Sequence, residues 1–98
     1  FAALPRSVRA TFVRFTLEEL ATLAPGNSVE VRVPPLGVTQ CVAGPRHTRG
    51  TPPSVVETSP VVWAALVLGV CSWEQAVAAG VLDASGERSD LSTLLPLF

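Results

Sequence analysis

Arg46, His47 and Arg49 lie in one stretch, Gly44-Pro-Arg-His-Thr-Arg-Gly-Thr-Pro-Pro53, and form the densest group of chemistry-bearing side chains in the sequence. A guanidinium presents a planar fork of donors that matches carboxylate or phosphate. The three residues are therefore candidates for an anion or lipid-headgroup site. A solvated Gly/Pro loop whose arginines pair with nearby carboxylates accounts for the same residues. His47 is the only histidine, and with Cys41 it could in principle form a nucleophile–base pair. Cys41, however, falls mid-strand with no helix N-terminus beside it in sequence. Cys41, His47 and Cys71 lack metal-ligand spacing such as C-x-x-C. The chain has no lysine or tyrosine to serve as acid or base, and no Gly-rich phosphate loop. The expectation is a non-enzymatic protein with no metal and no cofactor. Its two cysteines do not make a disulfide framework and read as small buried hydrophobes.

These residues sit in a chain of 98, the length of a single domain spanning 1–98. Such a chain buries roughly 60–65% of its unfolded surface, so its core is adequate but thin. With 48% hydrophobic and 15% charged residues it has the composition of a globular protein. A net charge of −1 argues against nucleic acid as a partner, because a nucleic-acid binder normally carries a basic stripe. No apolar window approaches the ~20 residues of a membrane span. The first residues do not have the layout of a secretory signal, and the expected location is cytoplasmic. The absence of lysine, isoleucine, tyrosine and methionine beside abundant alanine and valine reads as the codon bias of a GC-rich bacterium.

The stretch 58–86 is the most clearly punctuated. Ser59 caps a helix whose first residue is Pro60, where a missing N–H costs nothing, and Gly69 ends it. Ser72-Trp-Glu-Gln75 has the form of a capping box for a second helix, with Trp73, Ala76 and Val77 as its apolar stripe and Gly80 as its end. Val81 to Ser85 reads as a strand ending at Gly86. Upstream, residues 5–24 read as helix, with Val8, Phe12, Phe15, Leu20 and Leu23 near one face. Thr16-Leu-Glu-Glu19 could be a second capping box, but the period continues through it, which favours one helix. Pro25-Gly26 stops it. Val29, Val31 and Val33 alternate with Glu30 and Arg32 as a half-buried strand, which Pro34-Pro35 ends. Leu36 to Val42 is a second strand, paired antiparallel as a hairpin, in which Gln40 needs a partner if its face is buried. Val55 to Thr58 is a third strand. After Gly86, Ser89 or Asp90 caps a last short helix bearing Leu91, Leu94 and Leu95, ended by Pro96. The fold class is α+β, with one small, mostly antiparallel, curved sheet of about four strands and helices packed on one face.

The helix from Val61 to Leu68 has no polar face. It is either sandwiched in the core, lines a cavity with one face, or meets a second subunit. The terminal leucines and Phe98 are open to the same alternatives: core packing, a lid, or a dimer contact.

The helix ending in Gly69, Ser-Trp-x-x-Ala, Gly-Val-Leu-x-x-x-Gly and the leucine-rich end together resemble the C-terminal half of the sterol carrier protein family. Thr16-Leu-Glu-Glu-Leu20, Ala24-Pro-Gly26 and Val29-Glu-Val-Arg-Val-Pro-Pro35 resemble its small bacterial, actinobacterial-type branch. That resemblance covers most of the chain and implies the same α+β fold. It also implies burial of an apolar, lipid-like ligand, fatty acyl or sterol-like, between sheet and helices. Val62, Leu66, Leu91, Leu94 and Leu95 are the candidate apolar lining, and Arg46, His47 and Arg49 the candidate headgroup contacts. The rival expectation is an interaction or dimerisation module associated with an enzyme, with the cavity filled by side chains. In actinobacterial proteins, domains similar to this one occur fused to thiol-dependent enzymes. Candidate partners are thus a lipid or acyl chain and a second copy of the chain.

Overall fold

The alternation of Val29, Val31 and Val33 puts all three valines on one face of a strand, and that face became the floor of the core. In the computed structural model, which describes residues 1–44 and 54–98, these three side chains are fully buried. The elements are α1 (Arg6–Leu23), β1 (Val29–Val33), β2 (Gly37–Cys41), β3 (Ser54–Thr58), α2 (Pro60–Leu68), α3 (Trp73–Ala78) and β4 (Leu82–Ser85). The four strands form one open sheet in the order β2-β1-β3-β4. β1 pairs antiparallel with β2, and β3 with β4, while β1 and β3 run parallel at the centre. The sheet is therefore mixed and mostly antiparallel, and the helices cover one side of it.

The expected single first helix is present, but its buried face differs from the expected one. Val13, Thr16, Leu17 and Leu20 face the core. Val8, Phe15 and Leu23 are 47%, 50% and 61% exposed, and of the expected stripe only Leu20 is fully buried. The reason is one hydrogen bond. Trp63 of α2 is fully buried, and its Nε1 donates to Thr16 Oγ1 at 2.8 Å. A buried indole N–H without a partner costs about 1–3 kcal/mol. Thr16 must therefore face inward, and the residues one helical step away turn outward. The Thr16 hydroxyl lies 2.8 Å from the Phe12 carbonyl and 3.0 Å from that of Val13, to which it can donate in turn. It caps nothing.

The expected caps of the second half hold. Ser59 Oγ accepts from the Val62 N–H, and Gly69 takes the left-handed conformation that ends α2. Ser72 and Gln75 form the reciprocal capping box of α3. Val77, expected in the apolar stripe of α3, is instead half exposed, while Trp73 and Ala76 are buried. Gln40 and Val38 point to the open face of the sheet, so Gln40 needs no protein partner.

The last expected helix does not form. Residues 92–94 make a single turn, and the chain then runs on without regular structure. Helix nucleation is too costly for a segment this short, with Pro96 cutting it off. The segment finds its hydrogen bonds elsewhere: Leu97 N–H donates to the Val67 carbonyl at 3.0 Å, and Phe98 N–H to the same oxygen at 3.4 Å. That carbonyl lies in the last turn of α2, where no partner within the helix is available.

Replacing Thr16 by valine should lower stability by about 1–3 kcal/mol, because the Trp63 N–H is then buried and unpaired. Adding Trp63→Phe to Thr16→Val should cost less than the two single effects summed, as measured from chemical-denaturation midpoints.

Candidate functional site

Three of the concave regions formed by described residues differ in ways that follow from the elements that build them. The first is an open trough of about 390 Å³ on the outer face of α1, lined by Ser7, Val8, Thr11, Phe12 and Phe15. The second, about 530 Å³, lies on the open face of the sheet, where Glu30, Arg32 and Glu57 meet Pro34, Pro35, Leu36 and Val38. Arg32 there is committed to Glu30 at 2.6 Å. The third, about 210 Å³, has walls on opposite sides and is the most enclosed. It is lined by Leu66, Gly69 and Cys71 at the end of α2, by Ser72, Trp73, Glu74 and Gln75 at the start of α3, the polar ones here called its rim, and by Ser92, Leu95 and Pro96 of the C-terminal segment.

Local sequence positions each part of this third groove. Gly69 turns the chain at the end of α2 with φ of 77°, a conformation that favours glycine, and lies beside the Pro96 ring. An added Cβ at Gly69 would sit 3.4 Å from Pro96 Cγ. The capping box holds the start of α3, which keeps Trp73 in the wall at 8% exposure. The segment 91–98 crosses above as a strap. Leu91 is fully buried at one end, and the bonds to the Val67 carbonyl hold the other. Phe98 stacks on Phe15 of α1 with ring centroids 6.4 Å apart. Some of the rim polar groups bond to one another. Ser72 N–H donates to Gln75 Oε1 at 2.8 Å, Gln75 N–H to Ser72 Oγ at 3.1 Å, and Cys71 Sγ to the Ser72 carbonyl at 3.4 Å. Next to the strap, hydrogen bonds from Ser92, the backbone N–H foremost, hold the Asp90 carboxyl below its ordinary pKa. The groove surface is mixed, with hydrocarbon and ring from Leu66, Trp73, Leu95 and Pro96 beside the polar side chains of Ser72, Glu74, Gln75 and Ser92.

The candidate lining residues divide. Leu66 and Leu91 are fully buried, while Val62, Leu94 and Leu95 are partly buried and packed against the core. Leu66 and Leu95 line the groove. Between sheet and helices the space is occupied by Val13, Leu17, Leu20, Val29, Val31, Val33, Val56, Trp63, Leu66 and Val67. Arg46, His47 and Arg49 lie outside the described residues. Gly69, Cys71, Trp73 and Pro96 were not anticipated as wall residues. Their sequence signal was the short junction between two well-capped helices, which says nothing of a distant segment crossing over it.

Cys41 is fully buried in β2, and burial pushes its thiol up to about 11. Such a group stays protonated at neutral pH and is a poor nucleophile. Among the described residues, no group of three His, Cys, Asp or Glu side chains is placed to hold a metal ion. No helix formed by described residues is long and apolar enough to cross a membrane.

Comparison with protein families gives a match over residues 5–97 to the model described as "Bacterial SCP ortholog", SCP denoting sterol carrier protein. Comparison with curated proteins gives no match.

The two thiols should separate by reactivity. Iodoacetamide at neutral pH should label Cys71 in the native protein and reach Cys41 only on unfolding, as read by peptide mass spectrometry.

Proposed function

Because the chain belongs to the bacterial sterol carrier protein orthologues, we propose that it is a non-catalytic binder of an apolar, acyl-like ligand. The groove beneath the C-terminal strap is its binding site. The observation that carries this reading is the enclosed groove of about 210 Å³, whose apolar lining comes from Leu66, Trp73, Leu95 and Pro96. The polar side chains of Ser72, Glu74 and Gln75 at its border are exposed, so they keep their access to water when an apolar guest enters.

Size sets the ligand class. Drug-sized ligands occupy pockets of ~300–1,000 Å³, so this groove accepts a short acyl chain or one end of a longer one. A rigid sterol nucleus does not fit unless the strap lifts. The driving force is removal of hydrocarbon from water at about 25 cal/mol per Å², which gives a short chain modest affinity. The strap is the part able to yield, because few hydrogen bonds hold residues 92–98 and the described segment has no regular secondary structure. The buried sheet–helix interior is a poor alternative, since opening it would break close packing around Trp63. The protonated thiol of Cys41 supports the non-catalytic part of the reading.

Trp73 forms part of the wall and is a built-in reporter. Titrating delipidated protein with butyrate, octanoate and palmitate should change its fluorescence saturably, with octanoate stronger than butyrate. Leu95→Trp, which fills the groove, should weaken octanoate by about tenfold or more. Absence of a saturable response to all three carboxylates would sink the proposal, as would unchanged affinity in Leu95→Trp.

A further inference from the structure

We propose that the C-terminal strap is a latched gate over the groove, hinged at residues 90–92 and closed by the stacking of Phe98 on Phe15. The gating rests on the acyl-binding reading, while the latch itself is measurable without a guest. Burial and local bonds set the hinge. Leu91 is fully buried, the Ser92 N–H donates to Asp90 Oδ1 at 2.9 Å, and the Leu94 N–H donates to the Leu91 carbonyl at 3.0 Å. These bonds stay within residues 90–94, so they survive when the residues beyond lift. The far end is held by other elements. The Leu97 and Phe98 N–H groups share the Val67 carbonyl of α2. The Phe98 ring lies parallel to that of Phe15 to within 2°, with centroids 6.4 Å apart.

Between hinge and latch, the strap is lightly held. Leu95 and Pro96 line the groove, and Pro96 has no N–H with which to tie itself down. Leu94 and Leu95 are only partly buried against the core. Opening therefore breaks the bonds to the Val67 carbonyl and the ring stack, and leaves the interior around Trp63 untouched. Phe15 and Phe98 are 50% and 62% exposed, so their contact parts and re-forms at the surface. Phe15 is available there because its neighbour Thr16 is turned inward to Trp63. The groove exists beneath the closed strap, so guest and latch coexist. The latch then stabilises the free and the occupied closed states alike. Weakening it raises entry and exit rates together and leaves the equilibrium affinity where it was.

Stopped-flow mixing with octanoate, followed by tryptophan fluorescence, should show entry and exit about three- to tenfold faster in Phe15→Ala, with the dissociation constant within about twofold of the wild type. Val8→Ala, about two turns earlier on the same helix, should leave both rates unchanged. In the free protein the Leu97 amide hydrogen should exchange about three- to tenfold faster in Phe15→Ala, by a larger factor than the Val31 amide of the central strand. A Leu97 amide that exchanges no faster, or faster only in step with Val31, overturns the latch whether or not octanoate binds. Faster Leu97 exchange with unchanged octanoate rates overturns the gate, as does a weakened affinity with an unchanged entry rate. A wild-type protein with no saturable octanoate response sinks the ligand reading alone, because the Leu97 amide decides the latch without a guest.

Discussion

A single buried hydrogen bond, from the Trp63 indole to the Thr16 hydroxyl, sets the arrangement of the helical layer. Trp63 is fully buried and its N–H can reach no water, so a partner inside the core is obligatory. Thr16 supplies it across 47 residues of sequence. Only one rotation of α1 about its axis brings Thr16 to that point. The same rotation drives Val13, Leu17 and Leu20 onto the sheet and turns Val8, Phe15 and Leu23 to the outside. The exposed apolar face of α1 is thus a consequence of satisfying one polar group in the interior.

The sheet accepts α1 because of a second local feature. Gly37 begins β2 directly beneath the helix, where an added Cβ would lie 2.9 Å from Leu17 Cδ1. With no side chain there, helix and strand approach closely. At the other end of β2, Val42 takes a left-handed conformation with φ of 66°, unusual for a β-branched residue. Its backbone is held by the Ala24 carbonyl at 2.6 Å and by Ser28, whose N–H and Oγ both donate to the Val42 carbonyl. The strain is held by the turn from α1 into β1, so the helix meets the sheet at one end of β2 through Gly37 and at the other through Val42.

In the second half, helix ends do the organising. The caps at Ser59, Gly69, Ser72 and Gln75 satisfy backbone groups locally, and the Val67 carbonyl is left for the strap. Because the strap is anchored at Leu91 and again at Leu97, its middle spans the junction between α2 and α3 without filling it. The groove exists for that reason. A continuous terminal helix would have bonded its N–H groups to its own carbonyls and had none to offer Val67.

Much of this architecture is local and could be read from residue order. Valine alternation in β1, the Pro34-Pro35 stop, the serine caps, the glycine ends and the bacterial sterol carrier likeness all depend on neighbours in sequence. Those features determined the α+β class, nearly every element and the antiparallel hairpin. Tertiary structure decided which of two apolar faces of α1 is buried, because the choice depended on a tryptophan far along the chain. It also decided that the short terminal segment, too short to nucleate a helix before Pro96, runs on as a strap, because an orphan carbonyl on α2 accepts the Leu97 and Phe98 N–H groups. The parallel pairing of β1 with β3 and the groove at Leu66, Trp73 and Leu95 belong to the same class. Periodicity records which residues can share a face, but the partner that makes a face buried, or bridges a gap, lies in another part of the sequence.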